Sequence, residues 1–272
     1  LKTKHFFKTP LSPRLIRHAL SGLLLVWISF ASAQATDPSA ILATDSPAGH
    51  DLAPASLRAP KPFEARYRIY KDGDEMGESV VKLLHDQNHW RLDSVVRGTH
   101  GLASLLGFKR SETTVFDWKY QPPDDLWLPL SYRFSQKIAF KKKTSQFQYA
   151  PKTGLATGKS GSKTWQLPVK PPFISPSLVI LTLAKDLCDG QQDMRYRVLD
   201  KGKIKDYHFT VVGTENGLIK VTKEHGSPER ITESWHDPQR QCLNVRSRHK
   251  EPGDDWLETV LVSTTIETLP SD

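Results

Sequence analysis

Two histidines four positions apart, His85 and His89, have a spacing that would put both rings on one face of a helix, where they could share a metal ion. The residues between them, Asp86-Gln87-Asn88, favour chain reversal instead, so the pair flanks a hairpin tip and meets solvent. His50, His100, His208, His225, His236 and His249 are scattered, with neither a His-Glu-x-x-His nor a His-x-His pattern, so no metal site is expected. The run Gly154-Leu155-Ala156-Thr157-Gly158-Lys159-Ser160 looks like a phosphate loop. It has one residue too few between its glycines, and strand-like Lys163 to Val169 follows where a helix is required. A nucleophilic serine on a Gly-x-Ser-x-Gly elbow is absent, and Ser160 and Ser162 flank Gly161 on that same hairpin. The carboxylate pairs Asp124-Asp125 and Asp254-Asp255 sit beside proline or glycine. Neighbours on extended chain point to opposite sides, so these pairs are read as loop solubilisers rather than an acid–base couple. No catalytic residue and no cofactor is assigned. A hydrolase remains the enzyme alternative, acting on envelope glycans or lipids, with Glu112, Asp117 and His208 as candidates because they fall on strands.

The aromatic set is more suggestive. Tyr67, Trp90, Tyr132, Phe134, Phe147, Trp165 and Phe209 all lie on strand-like segments, with Phe116 and Tyr207 beside them. They either pack an ordinary core or line an apolar cavity for an acyl chain or another hydrophobic ligand.

The elements that would position them are mostly strands. Phe63, Ala65, Tyr67 and Ile69 alternate with Glu64, Arg66, Arg68 and Tyr70, the period of two that gives a strand one apolar and one polar face. The pattern recurs around Trp90–Arg97, Tyr132–Phe134, Phe147–Tyr149, Tyr207–Val211, Ile231–Trp235 and Leu257–Ile266. Turn signals separate these runs, and Asn216-Gly217 is the strongest because both residues tolerate positive φ. Two segments break the pattern. Gly101 to Gly107 predicts one or two helical turns. Ser175 to Leu187 predicts a helix capped by Ser175, with Pro176 at its first position, apolar nearly all round and therefore buried. The fold expected is mainly β: a strongly curved antiparallel sheet, half-barrel or barrel-like, around that one buried helix.

Residues 1–35 run from a basic start (Lys2, Lys4, Lys8, Arg14, Arg17) through ~12 apolar residues, Ala19 to Phe30, to small residues ending at Ala33 and Ala35. This is the order of a secretory signal peptide cleaved after Ala33 or Ala35, and the apolar run falls short of the ~20 residues that span a bilayer. Residues 36–61, rich in Pro, Ala, Ser and Asp, read as a flexible linker, and residues 62–270 as a single β-rich domain. The chain carries 38 basic and 30 acidic residues, net +8. Five of the positives precede residue 18, so the exported part is nearly balanced and no nucleic-acid partner is expected. Lys141-Lys142-Lys143 reads as a solvated strand end or turn, of the kind that blunts a sheet edge. Cys188 and Cys242, 54 positions apart, are a disulfide candidate in an oxidising compartment, with two separate buried thiols as the other reading.

The segments Phe63 to Gly77 (FEARYRIYKDGDEMG), Leu128-Pro129-Leu130-Ser131-Tyr132-Arg133-Phe134, and Tyr207 to Val245 with Gly213, Glu215, Arg230, Thr232 and Trp235, resemble an exported bacterial family of unknown function, number 3108. Ile174-Ser175-Pro176-Ser177 and Leu243-Asn244-Val245 depart from that family's pattern. The resemblance implies an envelope or periplasmic location and carries over no catalytic residues. Its strand content is similar to the half-barrel of lipoprotein carriers, a likeness of fold alone. The expectation is a non-catalytic periplasmic protein that binds a hydrophobic ligand or serves an envelope protein, reaching its place through the export machinery. A structural partner pairing through sheet edges is the third reading.

Overall fold

The computed structural model describes residues 59–86, 88–119 and 125–268. The proposed leader with Ala33 and Ala35, most of the 36–61 linker, and Asp124 lie outside the described residues.

Among the described residues, fourteen strands form one antiparallel sheet. The first eight are β1 (Phe63–Lys71), β2 (Asp74–Asp86), β3 (His89–Gly98), β4 (Lys109–Lys119), β5 (Leu126–Ile138), β6 (Lys141–Ala150), β7 (Leu155–Ser160) and β8 (Lys163–Pro168). The remaining six are β9 (Asp193–Asp200), β10 (Lys203–Glu215), β11 (Leu218–Lys223), β12 (Ile231–Asp237), β13 (Leu243–Lys250) and β14 (Leu257–Thr264). A short helix α1 (Gly101–Leu105) links β3 to β4, and α2 (Val179–Cys188) lies between β8 and β9.

The sheet order is two meanders, β8 back to β1 and β14 back to β9, fused where β1 pairs with β14. Tight turns make this possible. Asp72-Gly73 and Asn216-Gly217 both take positive φ at both positions, the conformation that matches the twist of a two-residue hairpin. The sheet is not closed, since β8 and β9 stand at its two ends. The link between them comes alongside β9: Ile174 forms a parallel bridge with Val198, and its amide and carbonyl bond Arg197 O and Leu199 N at 2.9 Å each. Trp165 of β8 packs against Gly202 in the β9–β10 turn, where a Cβ would come within 2.8 Å of the ring.

The apolar faces of β1 to β4 and β9 to β11 are buried together, whereas Trp235 of β12 lies opposite Lys220, on the face away from Val221. Ala65, Tyr67, Val81, Leu83, Leu92, Phe116, Val198, Tyr207, Phe209 and Val221 are buried in one cluster with Leu178, Val179, Leu181, Leu183 and Leu187 of the helical segment. A second cluster joins Leu128, Tyr132, Phe147, Tyr149 and Phe173 to Leu199.

Three sequence expectations need correction. Ser175 makes no side-chain cap. Its hydroxyl lies 2.8 Å from Thr114 Oγ1, and a 3-10 turn (Pro176–Leu178) starts the helix. The α2 surface is not apolar all round, because Lys185 and Asp186 lie on it and Ile180 and Ala184 are only partly buried. Asp125 does not solubilise a loop: its carboxylate is buried and pairs with Lys185 Nζ at 3.3 Å. Lys141-Lys142-Lys143 form the exposed strand end that the sequence predicts: they pair with β5 on one side, while the pairing of β6 with β7 begins only at Ser145.

Candidate functional site

Strand β4 shows how the interior becomes polar. Arg110, Glu112, Thr114 and Phe116 alternate with Ser111, Thr113, Val115 and Asp117, and the first set is buried. Arg110 donates through Nε to Glu112 Oε1 at 2.8 Å and again through Nη2, while Tyr132 of β5 donates to Glu112 Oε2 at 2.8 Å. The Arg110 guanidinium also lies 5.0 Å from the Phe134 ring. Burial holds the Tyr132 phenol well above its usual range, and the Glu112 charge pushes it the same way.

The belt continues on the other meander. Lys205 donates to Asp200 Oδ2 at 2.8 Å. Tyr207 is raised chiefly by burial, with Asp200 and Glu112 adding to it. Lys223 Nζ stands 3.6 Å from the centre of the Tyr207 ring, a cation–π contact. Burial, with the positive charges of Lys205 and Arg230, lowers the Lys223 amine to about 7.

Beyond Lys223 lies a chain of hydrogen bonds. His225 Nε2 is 2.8 Å from Thr232 Oγ1, and Thr232 Oγ1 is 2.7 Å from His249 Nδ1. His249 Nε2 is 2.9 Å from Glu251 Oε1, and Arg230 grips Glu251 Oε2 at 2.9 and 2.7 Å. Burial, then Lys223 and His249, depress His225 to about 3, and burial lowers His249 despite the neighbouring Glu251.

The structure separates the residues that the sequence offered for chemistry. Glu112 faces inward. Asp117, on the opposite face of β4, takes His89 Nδ1 at 2.6 Å. His208 is on the outward face of β10 between Asp193, 2.6 Å from Nε2, and Glu224; both partners raise its pKa, Asp193 the more. The three do not meet. His85 packs against Trp90 in a tilted pair, with ring centres 4.3 Å apart, rather than joining His89. Among the described residues no group of three or more His, Cys, Asp and Glu is placed to hold a metal ion. Nor is any helix there long and apolar enough to cross a membrane.

The aromatic candidates divide between the two clusters. Tyr67 and Phe209 lie in the cluster with α2, and Trp90 packs on it. Tyr132 and Phe147 lie in the second, with Phe134 and Trp165 against it. Cys188 and Cys242 meet at disulfide distance, with Cα atoms 5.7 Å apart. Sequence reading missed Arg110, Tyr132 as a hydrogen-bond donor, Asp200, Lys205, Lys223 and the chain from His225 to Glu251. The only signal for them was strand parity, which puts Arg110 and Glu112 on the face of Phe116.

A family model described as a protein of unknown function, DUF3108, matches residues 63–224, from β1 through β11, so Arg230, Thr232, His249 and Glu251 lie beyond the matched segment. A search of curated proteins returned no match. Among solved structures, the crystal structure of a β-barrel-like protein of the domain of unknown function DUF1849 from Brucella abortus aligns over 76% of this chain and 98% of its own. The identity is 12% and the TM-score 0.47. With the matched stretch covering more than half of its residues, the chain belongs to the DUF3108 family.

Proposed function

We propose that this protein is exported to the periplasm and there binds, without converting it, an amphipathic ligand with an apolar body and an anionic head. The sheet bends around α2, and its inward surface is the binding wall. One observation carries the reading: Tyr132 belongs to both halves of that surface. Its ring packs 5.6 Å from Phe147 in an apolar cluster, while its hydroxyl bonds Glu112 in the charged belt. A ligand lying along this wall would meet aromatic rings at one end and Arg110, Lys205 and Lys223 at the other. The cysteine pair supports an oxidising compartment, as does the order of residues 1–35.

Native mass spectrometry of gently purified chain, followed by displacement of a fluorescent fatty acid, tests the reading. The expected result is a co-purified acidic lipid and an affinity for the probe that falls about tenfold in Lys223→Gln, the loss of one modest charge-assisted contact. A chain that arrives empty and ignores the probe overturns it.

A hydrolase reading has one specific observation in its favour, the order Thr232, His249, Glu251 within hydrogen-bond distance. It predicts covalent labelling of Thr232 by a fluorophosphonate, abolished in His249→Gln. Labelling that survives this change, or none at all, removes it.

A further inference from the structure

Among the described residues, the two most exposed large apolar side chains lie on neighbouring elements. Phe140 is 105% exposed at the tip of the β5–β6 hairpin, and Leu105 of α1 is 82% exposed. Leu102, on the same short helix, is also exposed. The two elements are joined, since Ala139 N donates to Leu106 O at 2.7 Å. They are also held from beneath: Ala103, Phe108 and Ile138 are buried in one small cluster with Ile69, Val96 and Leu257. Gly98 lets α1 sit this close, because a Cβ there would come within 2.6 Å of the Ala103 backbone. The apolar tip is therefore built on a fixed base.

Its surroundings are basic. Lys137, Lys141, Lys142 and Lys143 flank Phe140 along β5 and β6, and Lys109 lies opposite Lys137 on β4. All five are exposed, and among the described residues no carboxylate lies within ion-pair distance of them. The neighbouring acids are engaged elsewhere: Glu78 faces Arg97 at 3.9 Å and Glu75 faces His100 at 3.5 Å.

We infer that this tip docks on an anionic phospholipid surface, with Phe140 and Leu105 entering the interface and the lysines meeting the headgroups. Exposed phenylalanine and leucine beside a cluster of lysines is the combination that favours an anionic bilayer, since apolar burial and charge attraction add. A second copy of the same tip is disfavoured by the charge it would bring. The inference goes beyond the internal binding site and uses none of its residues.

Hydrogen exchange of the full chain, with and without vesicles of about 30 mol% phosphatidylglycerol in phosphatidylcholine, reads the tip separately from residues 1–35. Protection is expected in peptides covering 101–107 and 137–143, fading in pure phosphatidylcholine and in high salt. Changing Phe140 and Leu105 together to Ser should weaken vesicle binding at this tip about thirtyfold. Each of Lys141→Glu, Lys142→Glu and Lys143→Glu should cost fivefold or more. Phe140→Trp should retain binding. Since Phe140 is fully exposed, these variants should unfold at the wild-type temperature. Equal protection on neutral vesicles, or none on anionic ones, overturns the inference. So does a concentration-dependent dimer that protects the same peptides without lipid.

Discussion

The inward surface of the sheet has two parts built by the same strand alternation and stabilised by different physics. Around α2, residues such as Leu178, Leu83, Leu92 and Phe116 are almost wholly excluded from water and carry no charge. Along the belt from Arg110 to Glu251 the inward positions are charged or hydroxylated, and many of them hydrogen-bond one another. The apolar part gains from burial in proportion to area and tolerates swaps that keep its volume. The belt gains little net energy from being charged, yet losing one member strands another in low dielectric.

The largest expected effect breaks the apolar part. Cys188 and Cys242 tie the end of α2 to the start of β13 across a 54-residue separation. Reducing them, or changing both to Ala, should lower stability by about 4 kcal/mol on the chain-entropy account. Urea unfolding with and without reductant measures it. An unchanged midpoint would mean that the pair contributes no constraint.

The belt answers next. Glu112→Gln keeps a hydrogen-bonding side chain but removes the carboxylate charge that faces the buried Arg110 guanidinium, for a loss of about 3 kcal/mol. Replacing Arg110 and Glu112 together by Met should lose much less, and the double-mutant cycle reads the difference. If the two single losses simply add, Arg110 and Glu112 do not act as a unit, and the contrast with the apolar part fails.

Buried histidine gives a third effect through pH. His236 is 1% exposed, and the carbonyl of Cys242 accepts from its Nδ1 at 2.9 Å, so Nε2 accepts from the Ser234 hydroxyl. Burial lowers its pKa to about 4. The unfolded chain, with a pKa near 6.5, binds the proton first. The stability held by neutral His236 is therefore complete above about pH 6.5 and is lost as pH falls towards 4, by roughly 3 kcal/mol in all. His236→Gln should flatten that part of the profile. Because His236 bonds the carbonyl of Cys242, its effect and that of the disulfide should couple rather than add.

How much of this was legible in the sequence differs between the two parts. The apolar part was readable from Phe63-x-Ala65-x-Tyr67-x-Ile69 and from the run Leu178 to Leu187, because hydrophobic period reports burial directly. Asn216-Gly217 likewise announced its turn. The belt was not readable. In Lys109 to Asp117 both faces of β4 are largely polar, so the alternation carries no sign to say which faces in. Lys223, His225, Thr232 and His249 come together only through the pairing of β10 to β13, which no local pattern encodes. Ser175 misled because a serine before proline at a helix start ordinarily caps, and here the Thr114 hydroxyl takes its oxygen instead.

The smallest effect sets an outward histidine against the inward ones. His208 sits between Asp193 and Glu224 on the solvent side of β10, and its pKa is raised, by Asp193 first. The folded state thus binds the proton more tightly than the unfolded chain. Its contribution is complete below about pH 6.5 and is lost as pH rises through the folded pKa, opposite in sign to His236. Solvent screening keeps it well below 1 kcal/mol. His208→Gln should lower the urea midpoint slightly at pH 5 and leave it unchanged at pH 8, and added salt should erase the pH 5 difference. The same sign of pH dependence for His208 and His236 would remove the distinction between the two faces of the sheet, because only burial against exposure to paired carboxylates makes the signs differ.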